Sequence, residues 1–315
     1  MRAVLLSLVL SSALRLTAQP LSLVERTHNS PATVADAPLH TIRADVNMVL
    51  VPAVVTDRKG VVVTGLTREH FAVTEDRVPQ AIASLTTQDT PSSIGVVLDM
   101  SGSMRTKVAA ATGAVRAFLN AANPEDEIFL LTVGSRPHSL SDFTADFATL
   151  QNSMVGVQTN GDTALVDTVY LALNRLRLRR HPRGALLVVS DGMDNNSRYS
   201  KPELMRAAEE ADVQVHTIAI AERPAGKKAI ELTEQSRGLA FLSDLADRSG
   251  GLSFQAAIDD NAAPAAVKIG RAIRNEYVIA YNQPGASNSG KWCSIQVKVD
   301  QPHLRVYARA GYYAP

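Results

Sequence analysis

VVLDMSGSM, residues 96–104, carries an apolar run into an aspartate and then into two serines one residue apart. The run begins at Ile94, and IGVVLD (94–99) holds no charge before Asp99. Uncharged runs of this kind form strands buried on both faces, as in parallel sheets covered by helices. Further strands are expected at EIFLLTV (127–133), GALLVVSD (184–191), VQVHTIAI (213–220) and LSFQ (252–255). Helical stripes lie between them. Over 105–122 the stripe is Val108, Ala111, Val115, Leu119 and Ala122; over 163–178 it is Leu165, Val169, Ala172 and Leu176. Both follow the i, i+3/i+4, i+7 spacing of an amphipathic helix. Gly250 and Gly251 close a third helix carrying Leu242, Leu245 and Ala246. The alternation predicts an α/β fold with a parallel sheet covered by helices on both faces.

Outside this block the texture is β. Residues 43–91 are rich in valine, with a turn at Arg58–Gly60 and a hairpin expected about Glu75–Pro79. Residues 276–315 supply YVIAY, KWCSIQVKVD and LRVYARAGYY, with the polar turn PGASNSG (284–290) between the first two. Each flank is too small to bury a core alone. Together they make about seven strands, so a β-sandwich-like domain split by an α/β domain at 92–275 is expected.

The 315 residues are 45% hydrophobic and 20% charged, ordinary for a globular chain, and only 5% aromatic. A net charge of +1 excludes a general affinity for nucleic acid or anionic membrane. The N-terminus reads as a signal peptide over 1–18: Arg2, an apolar run from Ala3 to Leu14, and cleavage after Ala18. Export to the periplasm or the exterior is therefore expected. The apolar stretch is too short to span a bilayer, and no other segment is long enough. Residues 19–42, rich in Pro, Ala, Thr and Ser, read as a flexible linker. Cys293 is the single cysteine, so an internal disulfide is excluded, and it is expected to be an inert, half-buried residue.

In open parallel sheets, ligands bind beyond the carboxyl ends of the strands. The strand ending at Asp99 is followed by Ser101 and Ser103; another ends in Asp191; and Thr163 opens a helix in NGDTAL. Two carboxylates and three small hydroxyls, without histidine or cysteine, form an all-oxygen set suited to a hard cation. Such a set under-neutralises the ion and leaves it open to one more anionic oxygen. Asp99, Ser101 and Ser103 also suit a helix N-cap, but that leaves Thr163 and Asp191 without a role.

As a set these residues resemble the metal-ion-dependent adhesion site of von Willebrand factor type A domains. The likeness lies in Asp99-Met100-Ser101-Gly102-Ser103, in Thr163 of Gly161-Asp162-Thr163, and in Asp191 of Ser190-Asp191-Gly192. The resemblance implies that the hydroxyls of Ser101, Ser103 and Thr163 bind Mg²⁺ (or Mn²⁺ or Ca²⁺) while Asp99 and Asp191 act through water. It implies a Rossmann-like doubly wound, mostly parallel sheet, and a protein ligand donating an Asp or Glu to the metal. VTDRKGVVVTGLTREHFAVTEDRVPQAIASL (55–85) and RAGYYAP (309–315) are similar to the flanks of an exported bacterial branch of that family.

The expected function is an exported, metal-dependent protein-binding module for adhesion or assembly, and not an enzyme. The alternatives are a domain that metal merely stabilises, or a hydrolase or phosphatase. A phosphatase of the haloacid dehalogenase kind needs a second Asp where Ser101 stands, and no G-x-S-x-G, G-x-G-x-x-G or P-loop follows a strand. The cluster RLRLRRHPR (175–183) reads as a solvated helix end, and 221–238 as a charged surface insert.

Overall fold

A computed structural model describes residues 48–314 except 88, 224, 225, 227, 259 and 284–289. The expected signal peptide and linker lie outside the described residues, which belong to the unit Asp45–Pro315.

The described residues open with four strands, β1 (Met48–Thr56), β2 (Phe71–Glu75), β3 (Val78–Gln80) and β4 (Ile82–Thr87). The central block follows: β5 (Ser92–Asp99), α1 (Val108–Ala121), β6 (Glu127–Val133), β7 (His138–Thr144), α2 (Phe147–Ser153), α3 (Leu165–Leu176), β8 (Arg183–Ser190), α4 (Lys201–Glu210), β9 (Gln214–Ala221), α5 (Ala229–Ser249), β10 (Ser253–Ala257) and α6 (Ala263–Arg274). After the block come β11 (Tyr277–Asn282), β12 (Trp292–Val299), β13 (Arg305–Ala308) and β14 (Gly311–Tyr313).

The six central strands lie in the order β10-β9-β8-β5-β6-β7, parallel except for the antiparallel edge strand β7. Every residue of β5 is buried. Its side chains alternate between faces, as strand geometry requires. Ile94, Val96 and Leu98 join the cluster built by Ala111, Val115 and Phe118 of α1 and Ile269 and Ile273 of α6. Val97 joins the opposite cluster, with Val169 of α3, Leu204 of α4 and Leu245 of α5. Gly95 lies where an added Cβ would stand 2.6 Å from Phe129 Cζ, so the aromatic ring takes the volume that a side chain would need. Chain order runs outward from the sheet centre in both directions, so it reverses between β5 and β8. That is the switch point where α/β sheets open a crevice.

Strands before and after the block pair with one another. One antiparallel sheet has the order β13-β1-β11-β4 and another β14-β12-β2-β3. Their apolar residues share one cluster that includes Val51, Val73, Ile279, Tyr281 and Ile295. Asp76 and Arg77, both at positive φ (48° and 69°), form the tight turn of the β2–β3 hairpin.

Three expectations differ from the structure. Residues 229–238 of the charged insert are the first half of α5, a helix whose buried residues begin only at Gly238. Arg183, expected at a solvated helix end, is largely buried, with Nη2 2.9 Å from Glu276 Oε2. Cys293 is fully buried rather than half-buried. Among the described residues, no helix is long and apolar enough to cross a membrane.

His216 on β9 is fully buried, and its Nδ1 accepts a hydrogen bond from Leu252 N at 3.0 Å. Burial lowers its pKa from 6.5 to about 3. The unfolded chain therefore binds a proton that the folded chain refuses, and this contribution to stability falls as pH drops from 6.5 towards 3. Chemical denaturation across that range should show wild type losing on the order of a few kcal/mol relative to His216→Asn, with the difference constant above about pH 7.

Candidate functional site

Asp99 ends β5 and Ser190 ends β8, the strand beside it at the switch point. Ser190 Oγ donates to Asp99 Oδ2 at 2.5 Å and so joins the two strand ends. Asp99 Oδ1 accepts from Ser101 N at 3.0 Å and from Ser101 Oγ at 2.6 Å. Ser101 Oγ lies 3.2 Å from Ser103 Oγ. Ser101 is buried and Ser103 exposed, so the pair leads from the sheet end to solvent. The N-cap of α1 is Lys107, which makes no side-chain cap bond, and Ser101 makes none at the short 3₁₀ turn Gly102–Met104. The helix-cap reading therefore does not account for the serines.

Thr163 is buried, and backbone contacts from two sides position it. Its N donates to Asn195 Oδ1 at 2.8 Å, and its carbonyl accepts from Asn195 N and Asn196 N, both at 3.0 Å. The loop before it is tied to the serine turn by Gly102 N donating to Gly161 O at 3.0 Å and Asn160 N donating to Met100 O at 3.2 Å. A Cβ on Gly102 would stand 3.1 Å from Gly161 O, so this close approach suits glycine. The Thr163 hydroxyl makes no hydrogen bond among the described residues. Asp194 Oδ1 accepts from Val166 N at 3.1 Å at the start of α3.

Asp191 is buried, and its Oδ1 accepts from Met193 N at 3.1 Å. Its Oδ2 accepts from Lys107 Nζ at 2.6 Å, in an ion pair whose side chains are 8% and 4% exposed. Burial, and then the nearby charge of Asp191, raises the Asp99 pKa to about 6. Enclosure thus disfavours the charge on Asp99, whereas Asp191 is paired with Lys107. Sequence reasoning missed Lys107, although a signal existed: it lies four residues before Ala111 and eight before Val115, on the buried stripe of α1. It also missed Ser190 and Asn195 as the groups that hold Asp99 and Thr163.

The donor set fits a hard cation. Cis oxygens on an ion with bonds of ~2.0–2.1 Å lie about 3 Å apart, close to the Ser101–Ser103 hydroxyl separation of 3.2 Å. Among the described residues no group of three or more His, Cys, Asp or Glu is placed to hold a metal, so a cation here would depend on hydroxyls.

Residues 94–193, which include Asp99, Ser101, Ser103, Thr163 and Asp191, match the family model for the von Willebrand factor type A domain. Within that segment, about a third of the chain, the protein is similar to a von Willebrand factor type A domain. No curated relative matches. Solved structures similar to the chain include the following three. A von Willebrand factor type A protein from Catenulispora acidiphila is 14% identical over 85% of this chain and 74% of its own, with a TM-score of 0.46. The corresponding domain of the type V pili tip protein Mfa5 from Porphyromonas gingivalis is 16% identical over 60% and 96%, with a TM-score of 0.46. The conserved hypothetical protein BatB from Bacteroides thetaiotaomicron is 15% identical over 59% and 100%, with a TM-score of 0.45.

A close backbone approach joins this site to α5. A Cβ on Gly238 of α5 would stand 2.6 Å from Asp191 O, and one on Gly192 would overlap Gly238 O. Gly192 also has a positive φ of 78°. Gly238→Ala should cost about 1–3 kcal/mol through overpacking, measured by chemical denaturation, while Gly113→Ala on α1, with open space around it, should cost nothing measurable.

Proposed function

We propose that this chain is an exported, metal-dependent protein-binding module of the adhesion or assembly kind. Mg²⁺, or Mn²⁺ or Ca²⁺ in its place, would be held by the hydroxyls of Ser101, Ser103 and Thr163, with Asp99 and Asp191 supplying negative charge. The ion's chemistry is to attract a further anionic oxygen, and an Asp or Glu of a protein partner is the group that would supply it. The observation that carries this reading is the pair of serine hydroxyls 3.2 Å apart above a buried carboxylate. They are not spent on helix caps.

The alternative in which metal merely staples the loops is less well supported, because hydrogen bonds already tie the three loops together: Gly102 to Gly161, and Asn195 and Asn196 to Thr163. The site is read as non-enzymatic. Ser101 Oγ donates to a carboxylate that Ser101 N and Ser190 Oγ also fix, an arrangement that holds a hydroxyl in place rather than freeing it to attack. We also read the two antiparallel sheets as one sandwich-like domain, divided in sequence between 43–91 and 276–315. Residues 1–18 are read as the export signal.

Calorimetry should show saturable Mg²⁺ or Mn²⁺ binding to the wild-type protein. Asp99→Ala should remove it, and Ser103→Ala, at an exposed position with little effect on folding, should weaken it about tenfold or more, the cost of one lost ligand oxygen. Equal binding by wild type and both variants would refute the site.

A further inference from the structure

Lys107 is a buried lysine on the apolar stripe of α1, and lysines are rarely buried unless paired. Its Nζ lies 2.6 Å from Asp191 Oδ2 and 3.8 Å from Glu222 Oε1. Glu222 is a third exposed, so solvent screens its charge, whereas the Lys107–Asp191 pair is enclosed. Lys107 also lines a cavity of about 270 Å³ with Ser103, Asp191, Glu231 and Glu234.

We propose that Lys107 is a tethered rival of the metal, which weakens cation binding and leaves the loaded site with surplus positive charge for an acidic ligand. The inference rests on the metal reading above. Counting the enclosed groups alone, and leaving out Glu222, Glu231 and Glu234 as solvent-screened, Asp99, Asp191 and Lys107 carry one net negative charge when both acids are ionised. A divalent ion turns that into one net positive charge. Without Lys107 the same ion would be neutralised by the two carboxylates, and its pull on a partner's carboxylate would be smaller. Lys107 therefore gives up affinity for the ion and raises the loaded site's demand for an anion. In the absence of an ion, the ammonium compensates Asp191, which would otherwise be buried beside a second carboxylate.

The test uses Mg²⁺ alone as the probe, on the whole chain. Lys107→Met should bind Mg²⁺ about tenfold or more tightly than wild type, since an unscreened charge at close range is worth at least that much. Lys107→Arg, which keeps the charge, should stay within a few-fold of wild type. In chelator, Lys107→Met should melt below wild type, and Mg²⁺ should raise its Tm by more than it raises that of wild type. A merely structural role predicts the opposite change in affinity, because a disturbed site binds less well. Lys107→Gln serves as the second variant if Lys107→Met does not fold. A folded variant that binds Mg²⁺ no more tightly than wild type overturns the proposal and leaves the metal reading standing. Absence of binding in wild type and in both neutral variants overturns the metal reading, and this proposal with it.

Discussion

A carboxylate with no exposure, set at the junction of the two central strands, governs this site. Asp99 lies where chain order reverses, and its two oxygens accept from Ser101 N, Ser101 Oγ and Ser190 Oγ. Burying a charge is costly unless it is hydrogen-bonded or paired. Those three donors fix the start of the serine turn and the end of β8. The turn in turn meets the Gly161 loop, and Thr163 meets the Asn195 loop. One buried charge thus sets the positions of residues far apart in sequence.

The second acid is solved differently. Asp191 is compensated by Lys107 from the start of α1, and its loop packs against the backbone of α5 at Gly238. Two helices on opposite faces of the sheet therefore meet at Asp191, one at its carboxylate and the other at its backbone. Any group that competes with Lys107 for Asp191 acts on α1, and any shift of the Asp191 loop presses on α5.

Much of the central sheet is legible in the sequence. β5, β8 and β9 read as uncharged runs because burial on both faces leaves no polar side to alternate with. The stripes of α1 and α3 are equally plain. β7 is not, because HSLSDFT is a polar edge strand, partly exposed and irregular in its pairing. The first half of α5 is hidden because its residues before Gly238 face solvent and carry no apolar stripe. At the site, the five oxygen-bearing residues stand out by their order along the chain. Lys107 does not: it falls on the α1 stripe, but a lysine at a helix start is ordinarily solvated, and the three-dimensional neighbourhood shows it turned inward onto Asp191.

Whether the hydroxyls of Ser101, Ser103 and Thr163, with the buried carboxylates Asp99 and Asp191, hold a divalent cation is tested most directly by crystals soaked in Mn²⁺ and measured for anomalous scattering. A single strong peak is predicted at bonding distance from the hydroxyl oxygens of Ser101, Ser103 and Thr163. A peak elsewhere, or none at saturating Mn²⁺ with Lys107 still on Asp191, would contradict it.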